Sequence, residues 1–293
     1  MTSGPTPAHS DASAAQGGRA AERRLGRYRV LALLDAHGTF PDKASTAFPD
    51  ATPEAWERAR RLDPAAFGAD DGWELDFRCY LIQGPGDRIT LVDTGIGPAG
   101  SPASDWTPVP GSLPRVLAAA GIRPGDVDTV VLTHLHDDHY GWSVTLDGVP
   151  VFPDAHYVVQ RAETAALAPD HIARRHVVEP LRRAGQLHEV EGRTPLPYAP
   201  AGGLTLLATP GHTPGHQSLL VEDAGQRLLV TGDVLVHAVQ LADPTVCYAY
   251  EADPARARRT REDLLADTAR PGTLLATPHL NHPFVRCPAV QTG

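Results

Sequence analysis

Apolar residues along this chain fall into short runs bounded by charge, glycine or proline. The runs 28-YRVLALLD-35, 75-LDFRCYLIQ-83, 88-RITLVDTG-95 and 128-DTVVLTH-134 read as strands in the first half. In the second half, 156-HYVVQ-160, 204-LTLLAT-209, 216-HQSLLVED-223, 227-RLLVTGD-233 and 273-TLLAT-277 read the same way. Each is rich in Val or Leu, some with an aromatic residue, and short enough to be a strand. Helical spacing appears between them, at 54-EAWERARRL-62, at 112-SLPRVLAAAG-121, around residues 170–184 and over 253–269. Ser112 and Asp253 stand at the N-cap positions of two of these, Pro254 takes the first turn, and Gly121 ends the other. Strands and helices alternate through both halves, so the expected fold class is α/β with mixed sheets.

The first 25 residues break the pattern. They are small, polar and rich in Pro, Gly and Ser, with no apolar core of a leader peptide. They read as a disordered tail ahead of one domain over 26–293. The 293 residues carry a formal net charge of -9 and 42% apolar residues, which describes a globular chain without the basic face that nucleic acid requires. No run approaches the roughly 18 apolar residues of a membrane span. Cys79, Cys247 and Cys287 are odd in number and far apart, which points to a reducing, cytoplasmic setting.

The strand at 128–134 runs directly into 133-THLHDDHYGW-142. In extended backbone, side chains two residues apart project the same way, so His134 and His136 can meet one ion. Asp138 and His139 follow the strand's end and can aim at a second. Further ligand types stand just after later strands: His212 in 209-TPGHTPGH-216, Asp233 in 231-TGD-233, and His279. Strand C-terminal edges are where α/β sites gather. Five histidines and two aspartates suit two borderline cations, with zinc the best match. The expected cofactor is two Zn2+ per chain.

This arrangement resembles the metallo-β-lactamase superfamily, whose H-x-H-x-D-H motif is followed by distant His, Asp and His. His134, His136, Asp138, His139, His212, Asp233 and His279 match it in order, and 92-VDTG-95 is a further shared pattern. The resemblance covers roughly residues 28–290 and implies an αββα sandwich of two mixed β-sheets flanked by helices. It further implies that His134, His136 and His212 hold one metal, that Asp138, His139 and His279 hold the other, and that Asp233 bridges. His282 competes with His279 for the last place and is assigned to the rim. Asp93 is expected to orient a ligand imidazole, His216 to be structural, and Asp137 to be solvated and turned away from the ligands.

Such a centre makes a bridging hydroxide and polarises a carbonyl, so a hydrolase is expected, with Asp138 or Asp233 passing the proton. The segments 231-TGDVLVHAVQLADP-244 and 35-DAHGTFP-41 are similar to the lactonase and organophosphate-hydrolase branch. The expected substrate is therefore a small lactone or other ester. A phosphotriester hydrolase and a mononuclear iron persulfide dioxygenase stay as alternatives, and a homodimer is left open. Some relatives in that branch place a Tyr three residues after the bridging Asp, where this chain has Val236. His237 is the nearby candidate for that contact, with a packing or supporting role as the other reading of it. Tyr140 and Trp142, beside the ligands, and Phe40 in the early segment are the expected substrate-binding aromatics.

Overall fold

The computed structural model describes residues 21–196, 203–268 and 273–286. Its first sheet runs in the order β1 (Ala21–Leu25), β2 (Tyr28–Thr39), β3 (Glu74–Gln83), β4 (Ile89–Val92), β5 (Thr129–Val131), β6 (His156–Gln160) and β7 (Leu187–Val190). Its first four strands pair antiparallel, and β4 to β7 pair parallel. The second sheet contains β8 (Thr194–Pro195), β9 (Leu204–Ala208), β10 (Gln217–Asp223), β11 (Gln226–Val230), β12 (Thr273–Ala276) and β13 (Phe284–Val285). Their spatial order is β13-β12-β11-β10-β9-β8, with only β11 and β12 parallel. Both sheets are thus mixed, as expected.

The helices are α1 (Ala44–Ala47), α2 (Pro53–Leu62), α3 (Leu113–Ala119), α4 (Asp137–Tyr140), α5 (Arg161–Ala166), α6 (Glu179–Arg183), α7 (Ala238–Ala242) and α8 (Pro254–Thr268). A π-helical turn, Arg174–Val178, leads into α6. The alternation within strands explains the layering. On β2, Val30 and Ala32 pack with Leu219, Val221, Leu228 and Val230 between the sheets. Leu31 and Leu33 face the other way, onto Leu113 and Leu117 of α3. On β10, Leu220 turns outward to meet Leu264 and Leu265 of α8. Period-2 strands with apolar residues on both faces need cover on both sides, and the helices supply it. Each fully buried Leu or Val contributes about 1.5–3 kcal/mol against exposure. No helix among the described residues is long and apolar enough to cross a membrane.

Several expectations need correction. Ala21–Leu25, expected in the disordered tail, is a strand paired with β2; residues 1–20 lie outside the described ones. Arg23 also lies over the Phe284 ring at 5.1 Å, which helps seat this strand. The strand expected to stop at Asp35 continues to Thr39 through a bulge between Leu34 and Ala36. The bulge turns Asp35 inward, where its carboxylate accepts N–H bonds from Ile96 at 2.8 Å and Leu113 at 2.6 Å. Burial pushes that carboxyl up to about 6 despite these bonds. Ser112 begins α3 without a side-chain cap, its role taken by Asp35. Asp253 does accept from Arg256 N–H at 3.0 Å ahead of α8. Cys79 is buried, Cys247 is half-buried, and Cys287 lies outside the described residues.

Candidate metal centre

The parallel pairs β4·β5 and β11·β12 bring their C-terminal ends to one edge of the sandwich. The chain leaving β5 carries His134 and His136 and then turns into α4, which carries Asp138 and His139. The turn between β9 and β10 carries His212, the turn after β11 carries Asp233, and the turn after β12 carries His279. Two groups of donor atoms result. His134, His136, His212 and Asp233 form one, and Asp138, His139 and His279 form the other, each within 4.8 Å.

Asp233 divides its two oxygens between them. Oδ2 lies 3.3 Å from His212 Nε2 and 3.8 Å from His134 Nε2. Oδ1 lies 3.4 Å from His139 Nε2 and 3.3 Å from His279 Nε2. Asp138 Oδ2 completes the second group, 3.4 Å from both His139 Nε2 and His279 Nε2. His134 Nε2, His139 Nε2 and Asp233 Oδ1 are buried and meet no hydrogen-bond partner. Buried polar atoms left this way are costly, and three of them converging signals a missing cation. Imidazole nitrogen and carboxylate oxygen are the donor set zinc-type ions take. The seven side chains fit such a group.

The surrounding hydrogen bonds assign three of the imidazoles their tautomers. His139 Nδ1–H donates to Asp93 Oδ2 at 2.8 Å, and His279 Nδ1–H donates to the Asp76 carbonyl at 2.9 Å. Thr133 Oγ1–H donates to Asp93 Oδ2 at 2.8 Å, so His134 Nδ1–H donates to Thr133 Oγ1 at 3.1 Å. All three rings therefore turn an Nε2 lone pair into the site. Burial holds His134 and His212 well below the usual imidazole range, which keeps them neutral donors.

Two buried residues outside this set lock the loops. His216 Nε2 accepts the Asp233 N–H at 2.9 Å. A Cβ on the intervening Gly232, at φ +53°, would meet that same nitrogen at 2.6 Å, so only glycine fits. Glu163 accepts from Leu135 N–H and from Gly215 N–H, both at 2.9 Å, and so ties the His134–His136 segment to the His212 turn. Nothing in the sequence singles out Glu163, an ordinary first-turn carboxylate of a short helix.

A cavity of about 400 Å³ opens over the donors. Phe40 lines it, with Trp73, Trp106, Tyr248 and Tyr250. Tyr140 does not: it is buried in the core beneath α4, beside Val144 and Phe152. Trp142 packs on the same core, away from the cavity. A helical turn sets successive side chains about 100° apart, so Tyr140, next to His139 in sequence, faces the core instead. His237 is also off the cavity. Its ring is buried among Phe48, Trp56, Phe67 and Trp73, and its Nδ1 caps α7 by accepting Val239 N–H at 3.0 Å. Asp137, expected to point away, lines the cavity and accepts from Trp106 Nε1 at 3.3 Å. His282 is exposed, apart from both groups.

The sequence reading missed Tyr248. Its ring stacks on His212 at 12° and 6.0 Å between centroids. Burial pushes its phenol far above the ordinary range, so it is a hydrogen-bond donor. Among the described residues, none meets its hydroxyl.

Comparison with known proteins agrees with this architecture. Residues 78–279 match the family described as the metallo-beta-lactamase superfamily. N-acyl homoserine lactonase AttM of Rhizobium radiobacter is 34% identical over 184 residues, 57% of this chain and 66% of that protein. Metallo-beta-lactamase domain-containing protein 1 of Rattus norvegicus is 31% identical over 260 residues, 84% of this chain and 85% of that protein. This chain thus spans just under two thirds of the lactonase's length and most of the second relative's. Among solved structures, hydrolase AbOPH superposes with a TM-score of 0.77 at 25% identity, covering 93% of this chain and 94% of that one. AidC, a dizinc quorum-quenching lactonase, shares the fold at 20% identity, with a TM-score of 0.71 and coverage of 92% and 95%.

Proposed function

This chain belongs to the metallo-beta-lactamase superfamily, and we propose that within it the protein is a dizinc hydrolase of a lactone or other carboxylic ester. The observation that carries this is the division of Asp233, one oxygen toward each donor group. His134, His136 and His212 would hold one ion, Asp138, His139 and His279 the other, and Asp233 would bridge. Bound there, the ions supply Lewis acidity toward a carbonyl oxygen and a water whose pKa falls toward neutrality.

The chain's own groups do the rest. Phe40, Trp73 and Trp106 wall the cavity with apolar surface that suits an acyl or aryl group and excludes water around the reacting ester. Tyr248 faces the same space with a free, protonated hydroxyl, placed to donate to the substrate's carbonyl oxygen as negative charge develops there. It stands where the sequence offered only Val236 and His237. Asp138 and Asp233 border the cavity and are the two donor-set carboxylates proposed to take the proton released by the attacking water and pass it to the leaving alkoxide. The lactonase AttM and the lactonase AidC support the substrate class.

The test is metal quantification on the purified protein, followed by a panel of lactones, aryl esters, phosphotriesters and persulfides. Two zinc ions per chain with lactone or ester turnover is the expected result. One iron per chain with oxygen consumption on a persulfide would overturn it, as would full esterase turnover in Asp233→Ala.

A further inference from the structure

The charge and ring content of the cavity go beyond what ester hydrolysis needs. Among the described residues, no lysine or arginine lines it. Lys43 follows Asp42 but is exposed and off the cavity wall, and two buried arginines are held elsewhere. Arg78 is held by Asp76 and the carbonyls of Leu280 and Asn281, and Arg261 by Glu251 and the Val246 carbonyl. Two carboxylates outside the seven-donor set, Asp42 and Asp137, do line it.

The rings form one connected group around Phe40. Its centroid lies 4.8 Å from Trp73, 5.8 Å from Trp106, 6.3 Å from Tyr248 and 5.8 Å from Tyr250, at interplanar angles of 38–73°. Rings tilted in this way make walls, not a flat stack. Two of them also donate to the extra carboxylates: Tyr250 hydroxyl to Asp42 Oδ2, and Trp106 Nε1–H to Asp137. Donating to an anion pushes electron density into the ring and makes its face more negative, which is what attracts a cation. Tyr248, 7% exposed, adds an unpartnered hydroxyl dipole at the inner end.

We infer that the cavity selects esters whose non-reacting end carries a positive charge, a quaternary ammonium or protonated amine, seated against Phe40, Trp106 and Tyr250 beside Asp42 and Asp137. The inference rests on the ester-hydrolase reading for the reacting end alone. It also means that a carboxylate at that end is rejected, because nothing on the wall neutralises it.

Three aryl esters test this, alike except that the acyl chain ends in tert-butyl, trimethylammonium or carboxylate. Methylenes insulate the ester, so its reactivity is common to all three, and tert-butyl matches trimethylammonium in shape. The expected KM for the ammonium ester is about tenfold below that of the tert-butyl ester, with the carboxylate ester poorest. Asp42→Asn should narrow the ammonium advantage severalfold. Equal KM for the ammonium and tert-butyl esters, or preference for the carboxylate, would overturn the inference and leave the hydrolase reading standing. A separate binding arm uses phenyltrimethylammonium, read by quenching of tryptophan fluorescence, with tert-butylbenzene and benzoate as controls. Quenching by the cation alone, with no turnover of any ester, would sink the hydrolase reading and leave the charge selection standing. No quenching by the cation and no turnover sinks both.

Discussion

The imidazole of His216 accepts the backbone N–H of Asp233 at 2.9 Å, and that bond is the end of a directed chain. Ser218 Oγ–H donates to the Thr231 carbonyl at 2.8 Å, which leaves Thr209 Oγ1–H to donate to Ser218 at 2.9 Å. His216 Nδ1–H then donates to Thr209 at 2.9 Å, and Nε2 is free to accept from Asp233. The turn that splits Asp233 between two donor groups is thereby fastened to the core of the second sheet.

Replacing His216 by alanine leaves the buried Asp233 N–H without a partner, while Thr209 keeps its bond to Ser218. An orphaned buried N–H costs about 1–3 kcal/mol, so the unfolding free energy of His216→Ala should fall by at least about 1–3 kcal/mol in denaturant titrations. An unchanged unfolding midpoint would show that the chain of bonds does not anchor the turn.

Asp93→Ala removes the acceptor for His139 Nδ1–H and for Thr133. Ring orientation is lost mainly in the second donor group, which holds no other anchor of that kind on His139. Metal affinity should drop by roughly 10- to 100-fold. Competition with a chelator, read as metal retained per chain, should show one ion leaving well before the other.

Tyr248→Phe keeps the ring on His212 and removes only the hydroxyl. If that hydroxyl steadies the carbonyl oxygen, kcat should fall by about ten- to a hundredfold while metal content stays the same. A rise in KM with kcat intact would instead place Tyr248 in ground-state binding.

The pH dependence of stability has a defined contribution from His237, whose imidazole is pushed down to about 3 by burial and by the charge of Arg60. Between that value and the unfolded value near 6.5, the unfolded chain binds the proton and the folded chain does not. Stability from this group is therefore present above pH 6.5 and lost as pH falls toward 3, at about 1.4 kcal/mol per pH unit. His237→Asn keeps an acceptor for the Val239 N–H and does not titrate there. Its unfolding free energy should fall less than the wild type's between pH 7.5 and pH 5.5.

The amino-acid sequence by itself determined the layered α/β class, because alternating strands with two apolar faces leave no other way to exclude water. It also singled out the seven His and Asp side chains that the fold gathers into two groups, since His134 to His139 are local and His212, Asp233 and His279 each follow an apolar strand. Backbone periodicity carries that far because it acts over a few residues. What stands across the cavity from the donors depends on contacts between segments far apart in the chain. Tyr248 reaches His212 through a loop held by the buried Arg261–Glu251 pair, and Phe40 arrives from β2 only because the bulge at Asp35 lets that strand run on. Tyr140 is adjacent to a ligand in sequence yet faces the core because the turn of α4 rotates it away, and Trp142, just past that helix, packs on the same core. A local motif and positions after apolar strands singled out the candidate donors, and only tertiary packing decided which side chains look at them.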